Sequence, residues 1–276
     1  MIEIEVKTWD EFKKEISEFR NKYGQYKMPF SGGRSRALRG ATLFRGQRCA
    51  SWKLQTTLER AASEKFSIKR YLYAAVPGAT EIESFTGHRW NLKSLPDLAN
   101  ELEQKDFGRI YLPAYDYLVY LRHCGFPSPL LDWSESPYVA AFFACESVDE
   151  SEEAAVYCYS ETPEGSKHSE MGRPEISRRG PNVTTDKRHF SQQAWYTVAV
   201  QWDDARKEHS FVPHEEVFSA AEEGQDVLLK IRLPGRLRKT ALKDLADYNI
   251  NYFTLFHTED ALVKTIAMRT FNLRDV

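Results

Sequence analysis

Ser136-Pro137-Tyr138-Val139-Ala140-Ala141-Phe142-Phe143-Ala144-Cys145 is the stretch whose reading decides the fold class. Serine followed by proline is the capping residue and first position of an α-helix: the hydroxyl accepts a first-turn backbone N–H, and proline lacks an N–H that the helix would leave unbonded. The run that follows is nearly all apolar, so this helix has no wet face and is expected to be buried. Beyond it the acidic run 146–153 reads as a solvated loop, and Ala154-Ala155-Val156-Tyr157-Cys158-Tyr159 as a strand. Residues 195–200 and 227–233 also have strand composition, and Ala41-Thr42-Leu43-Phe44-Arg45-Gly46 is a short β-leaning run closed by glycine. Arg45 is expected at the end of that strand.

Helices surround these strands. Thr8 with Glu11 forms a capping-box pattern, and Trp9, Phe12, Ile16, Phe19 and Tyr23 recur at helical spacing up to Gly24. Residues 58–76, 95–103, 113–124, 237–248 and 258–268 read as further helices, the last capped by Thr258-Glu259-Asp260 and the third stopped by Gly125. The class is α+β, with mixed strands forming a split or curved β core flanked by helices. One domain is expected over 1–276, residues 1–40 being a helical N-terminal extension and 161–185, rich in Gly, Pro, Ser and charge, a loop or insertion. Neither G-x-G-x-x-G nor G-x-x-x-x-G-K-[ST] occurs, so the sequence does not support a Rossmann or P-loop site.

Composition narrows the partners. The 276 residues are 42% hydrophobic and 28% charged, which excludes a mainly disordered chain. Lys+Arg 38 against Asp+Glu 40 gives a net charge of -2, which disfavours a globally basic nucleic-acid binder but not a local patch. The longest apolar stretch, 138–145, is far below the roughly 18–20 residues a membrane span needs. Met1-Ile2-Glu3-Ile4-Glu5-Val6-Lys7 lacks the basic and apolar regions of a secretory signal, and a cytoplasmic location is expected. Cys49, Cys124, Cys145 and Cys158 show no C-x-x-C pair, so neither a zinc site nor a disulfide framework is indicated, and the sequon Asn182-Val183-Thr184 carries no weight in that setting.

Four ordered motifs closely resemble the FRG-domain family. They are Phe44-Arg45-Gly46-Gln47 with Trp52, Leu54 and Arg60; His123-Cys124-Gly125-Phe126-Pro127 with Leu130-Leu131-Asp132-Trp133-Ser134-Glu135 and the helix that follows; Arg188 and Gln192-Gln193-Ala194-Trp195-Tyr196-Thr197; and Tyr248-Asn249-Ile250-Asn251 with Thr254-Leu255-Phe256 and Asp260. The resemblance spans roughly 40–268. That family looks like a distant relative of ADP-ribosyltransferases, whose site combines an early Arg or His, a later Ser, Thr or Tyr, and an acid or Gln near the end. Arg45, Ser136 and the Glu259-Asp260 pair follow that order. The resemblance therefore implies an ADP-ribosyltransferase-like fold, with NAD as substrate and either transfer of ADP-ribose to a protein, RNA or DNA acceptor or hydrolysis of NAD. It also implies a setting in bacterial toxicity or anti-phage defence, with a regulatory protein partner.

On that reading Arg45 would hold phosphate by charged hydrogen bonds, and Glu259 or Asp260 would stabilise the positive ribose as nicotinamide leaves. Ser136 would orient Arg45 or the ribose, Tyr138, Phe143 or Tyr196 would stack on the nicotinamide ring, and Gln192 would hydrogen-bond its amide or the ribose. Gln47, His123 and Asp132 complete the candidate binding residues. Each has an architectural alternative: Ser136 is a helix cap in its own right, acids in a first turn answer the helix dipole, Asp132 suits a turn, and His123 is either a general base or a capping or core histidine.

The chain departs from the family pattern at Arg122-His123-Cys124-Gly125 and at Pro127-Ser128-Pro129-Leu130-Leu131-Asp132, where Pro129 stands in place of an arginine, so that either another arginine such as Arg122 replaces it or the ligand is bound differently. In Phe256-His257-Thr258-Glu259-Asp260-Ala261 register favours Asp260 and chemistry favours Glu259. The competing functions are a nucleic-acid or nucleotide-binding module without catalysis and a protein-interaction module. The first draws on the cluster Arg34, Arg36, Arg39, Arg45 and Arg48, with Arg232, Arg236, Arg238, Lys239 and Lys243, if both lie on one face.

Overall fold

The structure is a computed structural model that describes residues 1–29, 35–39, 42–62, 64–104, 110–163, 167–168, 170, 172–181, 183, 187–220 and 224–273, with the main chain alone at 25–29, 35–39 and 104. Its strands are β1 (Ile2–Glu5), β2 (Gln25–Pro29), β3 (Ser35–Arg39), β4 (Leu43–Gln47), β5 (Leu131–Ser134), β6 (Glu153–Ser160), β7 (Glu175–Arg179), β8 (Ala194–Asp203), β9 (Glu208–Phe211) and β10 (Val227–Pro234). Its α-helices are α1 (Trp9–Tyr23), α2 (Thr57–Ala61), α3 (Ile68–Ala75), α4 (Ala79–Thr86), α5 (Leu95–Gln104), α6 (Tyr115–His123), α7 (Pro137–Cys145), α8 (Lys187–Ser191), α9 (His214–Ala220), α10 (Arg238–Asp247), α11 (Tyr252–Phe256) and α12 (Glu259–Ala267).

The apolar run forms α7 as expected, with Ser136 Oγ accepting from Val139 N–H and Pro137 in the first turn. Seven of its nine residues are buried, so it is covered on both sides. Beneath it lie β4 and β6, α10 packs against it, and α1 and α11 join the same core through Phe12, Phe19 and Leu255. Gly46 makes this close seating possible. A Cβ there would stand 1.9 Å from Ala140 O and 2.6 Å from Ala144 N, so only a residue without a side chain lets β4 lie against the helix backbone.

Eight strands form one sheet in the order β1-β10-β6-β4-β5-β8-β7, with β9 also on β8. Every pair is antiparallel except β1 with β10. Alternation divides β6 between two cores: Ala154, Val156 and Cys158 face α7, while Ala155, Tyr157 and Tyr159 join Leu43, Trp133 and Phe218 on the other face. A third cluster covers β8 with α3, α5 and α6, around Tyr71, Tyr117, Leu118 and Tyr196. The chain is thus α+β, a mixed open sheet flanked by helices.

Four local expectations are corrected. Residues 1–40 are not a helical extension, because β1 is an edge of the main sheet, α1 contributes Trp9, Phe12, Ile16 and Phe19 to the core, and β2 and β3 form a separate antiparallel pair. Residues 58–76 are two helices, because Ser67 takes an extended backbone and caps α3 through Arg70 N–H. The span 161–185 contains β7, whose pairing with β8 is a tertiary fact that local composition does not show. Leu131 to Ser134 form a strand, not a turn, since β8 supplies partners from Thr197 to Ala194. Asn182 and Thr184 of the sequon lie outside the described residues.

Candidate functional site

β4 and β5 share one paired position, Phe44 opposite Ser134, and then part. Where Arg45 and Gly46 would have continued the ladder, a cleft of about 330 Å³ opens through the sheet. Arg45 spans it: its Nη1 donates to the main-chain carbonyl of Asp132 at 2.7 Å and stands 3.8 Å from the Asp132 carboxylate. A guanidinium thus replaces part of the missing strand pairing. Arg122, at the end of α6, donates from Nη2 to the same carboxylate, so Asp132 holds two arginines at the cleft wall. Burial lowers the Arg45 pKa, and Asp132 opposes that shift while Arg122 and Arg60 add to it. Arginine starts high enough to stay charged.

The opposite lining is apolar. Phe143 of α7 and Phe256 of α11 meet edge to face, with centroids 6.0 Å apart, beside Ala140 and Ala194. Arg188 closes another side and donates from Nη2 to His123 O at 2.7 Å. One side of the cleft is therefore cationic and another is an aromatic wall.

A hydrogen-bonded chain runs through His123, Tyr196 and His189. His189 Nε2 is 3.0 Å from Pro181 O, a pure acceptor, so that nitrogen carries the proton and a neutral His189 accepts at Nδ1 from Tyr196 O–H at 3.2 Å. The Tyr196 oxygen then accepts from His123 Nε2–H at 2.8 Å. Burial holds the Tyr196 phenol well above its usual range, so it stays protonated for this task. His123 Nδ1 is closed off from solvent. In this arrangement the ring braces the cleft wall through Tyr196.

Of the residues singled out from the sequence, Arg45, His123, Asp132, Phe143, Gln192 and Tyr196 line the cleft, as does Arg122. The others lie elsewhere. Gln47 is buried and donates to Lys53 O at 3.1 Å, Ser136 caps α7, and Tyr138 stacks on Tyr248 with centroids 5.9 Å apart. Glu259 and Asp260 are exposed in the first turn of α12, behind the Thr258 cap, and neither lines the cleft. The helix dipole accounts for them. Ser134 and Phe256 were not singled out as site residues. Phe256 stood in a quoted motif, but only the packing of α11 on α7 brings it to the cleft.

Residues 40–153 match the family model of the FRG domain. The chain carries an FRG domain. The matched segment supplies Arg45, Arg122, His123, Asp132 and Phe143, while Arg188, Gln192, Tyr196 and Phe256 come from beyond it. No curated protein and no solved structure matches the chain.

Among the described residues, three members of the basic clusters are engaged locally. Arg48 pairs with Glu152 at 3.3 Å, Arg232 with Glu153 and Glu3, and Arg238 bonds the Cys145 and Glu146 carbonyls at the end of α7. Arg34 and the side chains of Arg36 and Arg39 lie outside the described residues. Among the described residues no helix is long and apolar enough to cross a membrane.

Ser136 is expected to act on stability alone. Replacing it with alanine removes the bond to Val139 N–H and should cost about 1 kcal/mol. Urea unfolding reads that loss, and any activity of the cleft should be unchanged at saturating substrate.

Proposed function

We propose that the FRG domain binds NAD in this cleft and breaks the bond between ribose and nicotinamide, as an ADP-ribosyltransferase or an NAD glycohydrolase. The observation that carries the reading is the convergence of Arg45 and Arg122 on a single carboxylate, Asp132, with Arg188 also in the lining, opposite the Phe143–Phe256 wall. Arg45 and Arg122 less the one carboxylate leave a positive charge to draw a dinucleotide's diphosphate. Arg45 Nη2 and Arg122 Nη1 have no protein acceptor among the described residues and remain to meet phosphate oxygens. At about 330 Å³ the cleft suits one nucleoside end and the diphosphate, with the rest of the ligand outside.

In the reaction the electron pair of the C1′–N bond leaves with the nicotinamide nitrogen, and positive charge grows on the ribose. Asp132 is the carboxylate placed to stabilise it, in the role that Glu259 or Asp260 was expected to play. Its side chain is about one-third exposed, and two arginines hold it in place. Loss of cellular NAD, or modification of a macromolecule, would underlie a toxin or defence role.

Purified protein incubated with NAD, with protein, RNA and DNA offered as acceptors, tests this through free nicotinamide measured by chromatography. Arg45→Ala is expected to lower release about 100-fold or more while the far-ultraviolet spectrum stays native. Release at the wild-type rate from a folded Arg45→Ala protein would overturn the proposal. One observation favours a second reading, nucleotide binding without cleavage: the late acids lie outside the cleft, and Asp132 already neutralises Arg122. In that case NAD raises the melting temperature and no nicotinamide appears.

A further inference from the structure

Gln192 is held from three directions. Its N–H donates to Arg188 O at 2.9 Å, its carbonyl accepts from Ser134 Oγ–H at 2.6 Å, and its side-chain Nε2 donates to Leu255 O at 3.1 Å. A peptide carbonyl only accepts, so the amide cannot be turned round: that would set Oε1 against Leu255 O, lone pairs against lone pairs. The side chain therefore presents Oε1 as a fixed acceptor. This oxygen has no protein partner among the described residues and is not sealed from solvent, and the residue lines the cleft with Phe143 and Phe256.

We infer that Gln192 sets the base specificity of the cleft, its Oε1 accepting an N–H from the nicotinamide carboxamide, so that the amide-bearing dinucleotide is taken and the corresponding acid refused. The inference rests on the reading of the cleft as an NAD site. The bond to be broken joins ribose to nicotinamide, so that end of the ligand must lie near Asp132, and the Phe143–Phe256 wall offers its ring an apolar surface. A carboxylate in place of the carboxamide is negative and offers no donor. Opposite Oε1 it forms no bond, and the oxygen dipole repels it. A site built to receive a donor rejects an analogue without one more sharply than an apolar pocket rejects a change of size.

The test is calorimetric titration with three ligands: NAD, nicotinic acid adenine dinucleotide, and nicotinamide hypoxanthine dinucleotide, which lacks the adenine amine. Wild type is expected to bind NAD at least about tenfold tighter than the acid, and the hypoxanthine compound about as tightly as NAD. In Gln192→Leu the gap between amide and acid should close to within about threefold, through weaker binding of NAD. The wild-type series stands alone should that variant fail to fold. Equal wild-type affinity for amide and acid would overturn the inference and leave the NAD reading intact. A loss confined to the hypoxanthine compound would also overturn it, since the amine read would be that of adenine. Failure of all three to bind would remove the NAD reading and this inference with it.

Discussion

Gly46→Ala is expected to destabilise the protein by about 3 kcal/mol or more, well beyond the usual cost of adding one methyl group. The added Cβ would lie 1.9 Å from Ala140 O, 2.6 Å from Ala144 N and 3.0 Å from Ala140 C, and all three are backbone atoms of α7. No rotamer change relieves such a clash. Either β4 or the whole helix must shift, and α7 is fixed by Phe142 in the core and by Arg238 on its last carbonyls. Ala140 and Gly46 also line the cleft, so the shift would change its width. Gly87→Ala is the control, since no atom lies within 4 Å of its Cβ position and only its φ of +73° opposes a side chain, at about 1 kcal/mol. Urea unfolding of both variants decides the point. A Gly46→Ala protein no less stable than Gly87→Ala would refute the close-approach argument.

The Phe-Arg-Gly run thus divides three tasks among neighbours. Phe44 is fully buried beneath α7, where Phe19 meets its ring edge-on at 6.4 Å. Arg45, on the other face of the strand, crosses the fissure, and Gly46 admits the helix. What the sequence made legible was local chemistry. Ser136-Pro137 specifies its helix start with no help from the rest of the chain, and Thr8 does so for α1, although Glu11 reaches back to Lys7 N–H and not to that of Thr8. Leu131 to Ser134 were unreadable as a strand because four residues behind Pro129 become β only when β8 pairs with them. The cleft divides in the same way. Arg45 and Asp132 stood out within motifs, but their meeting depends on β4 and β5 parting after one paired position, and Arg188, Gln192 and Phe256 arrive on α8, the turn after it and α11. Glu259 and Asp260 mark the opposite case, where a helix-start signal read correctly as a start was also given a chemical role, while packing leaves both acids outside the cleft lining.

Acid is expected to unfold the protein in good part through His214. This residue opens α9 and is 1% exposed, with Nε2 3.0 Å from Thr197 Oγ1. Trp133 Nε1–H donates to the same hydroxyl at 2.8 Å, so the hydroxyl proton is left for the lone pair on Nε2, and His214 sits neutral in the core. Charging it would bury a second cation in the field of Arg45. Burial first of all lowers its pKa to about 3, Thr197 acts in the opposite direction, and Arg45 lowers it further. In the unfolded chain the same ring titrates near 6.5. Between those values the unfolded state binds a proton that the folded state refuses, so stability is fully present above pH 6.5 and is lost as pH falls toward 3. The difference amounts to about 5 kcal/mol over the whole window, at about 1.4 kcal/mol per pH unit. His214→Gln removes the titration and keeps an acceptor for Thr197. Urea midpoints from pH 7 down to about 4 should therefore fall less steeply in the variant than in wild type. Carboxylates contribute to both proteins and cancel in the comparison. Parallel slopes would show that His214 is protonated without unfolding, which would require the Thr197 hydroxyl to accept from the new Nε2–H as well as from Trp133 Nε1–H.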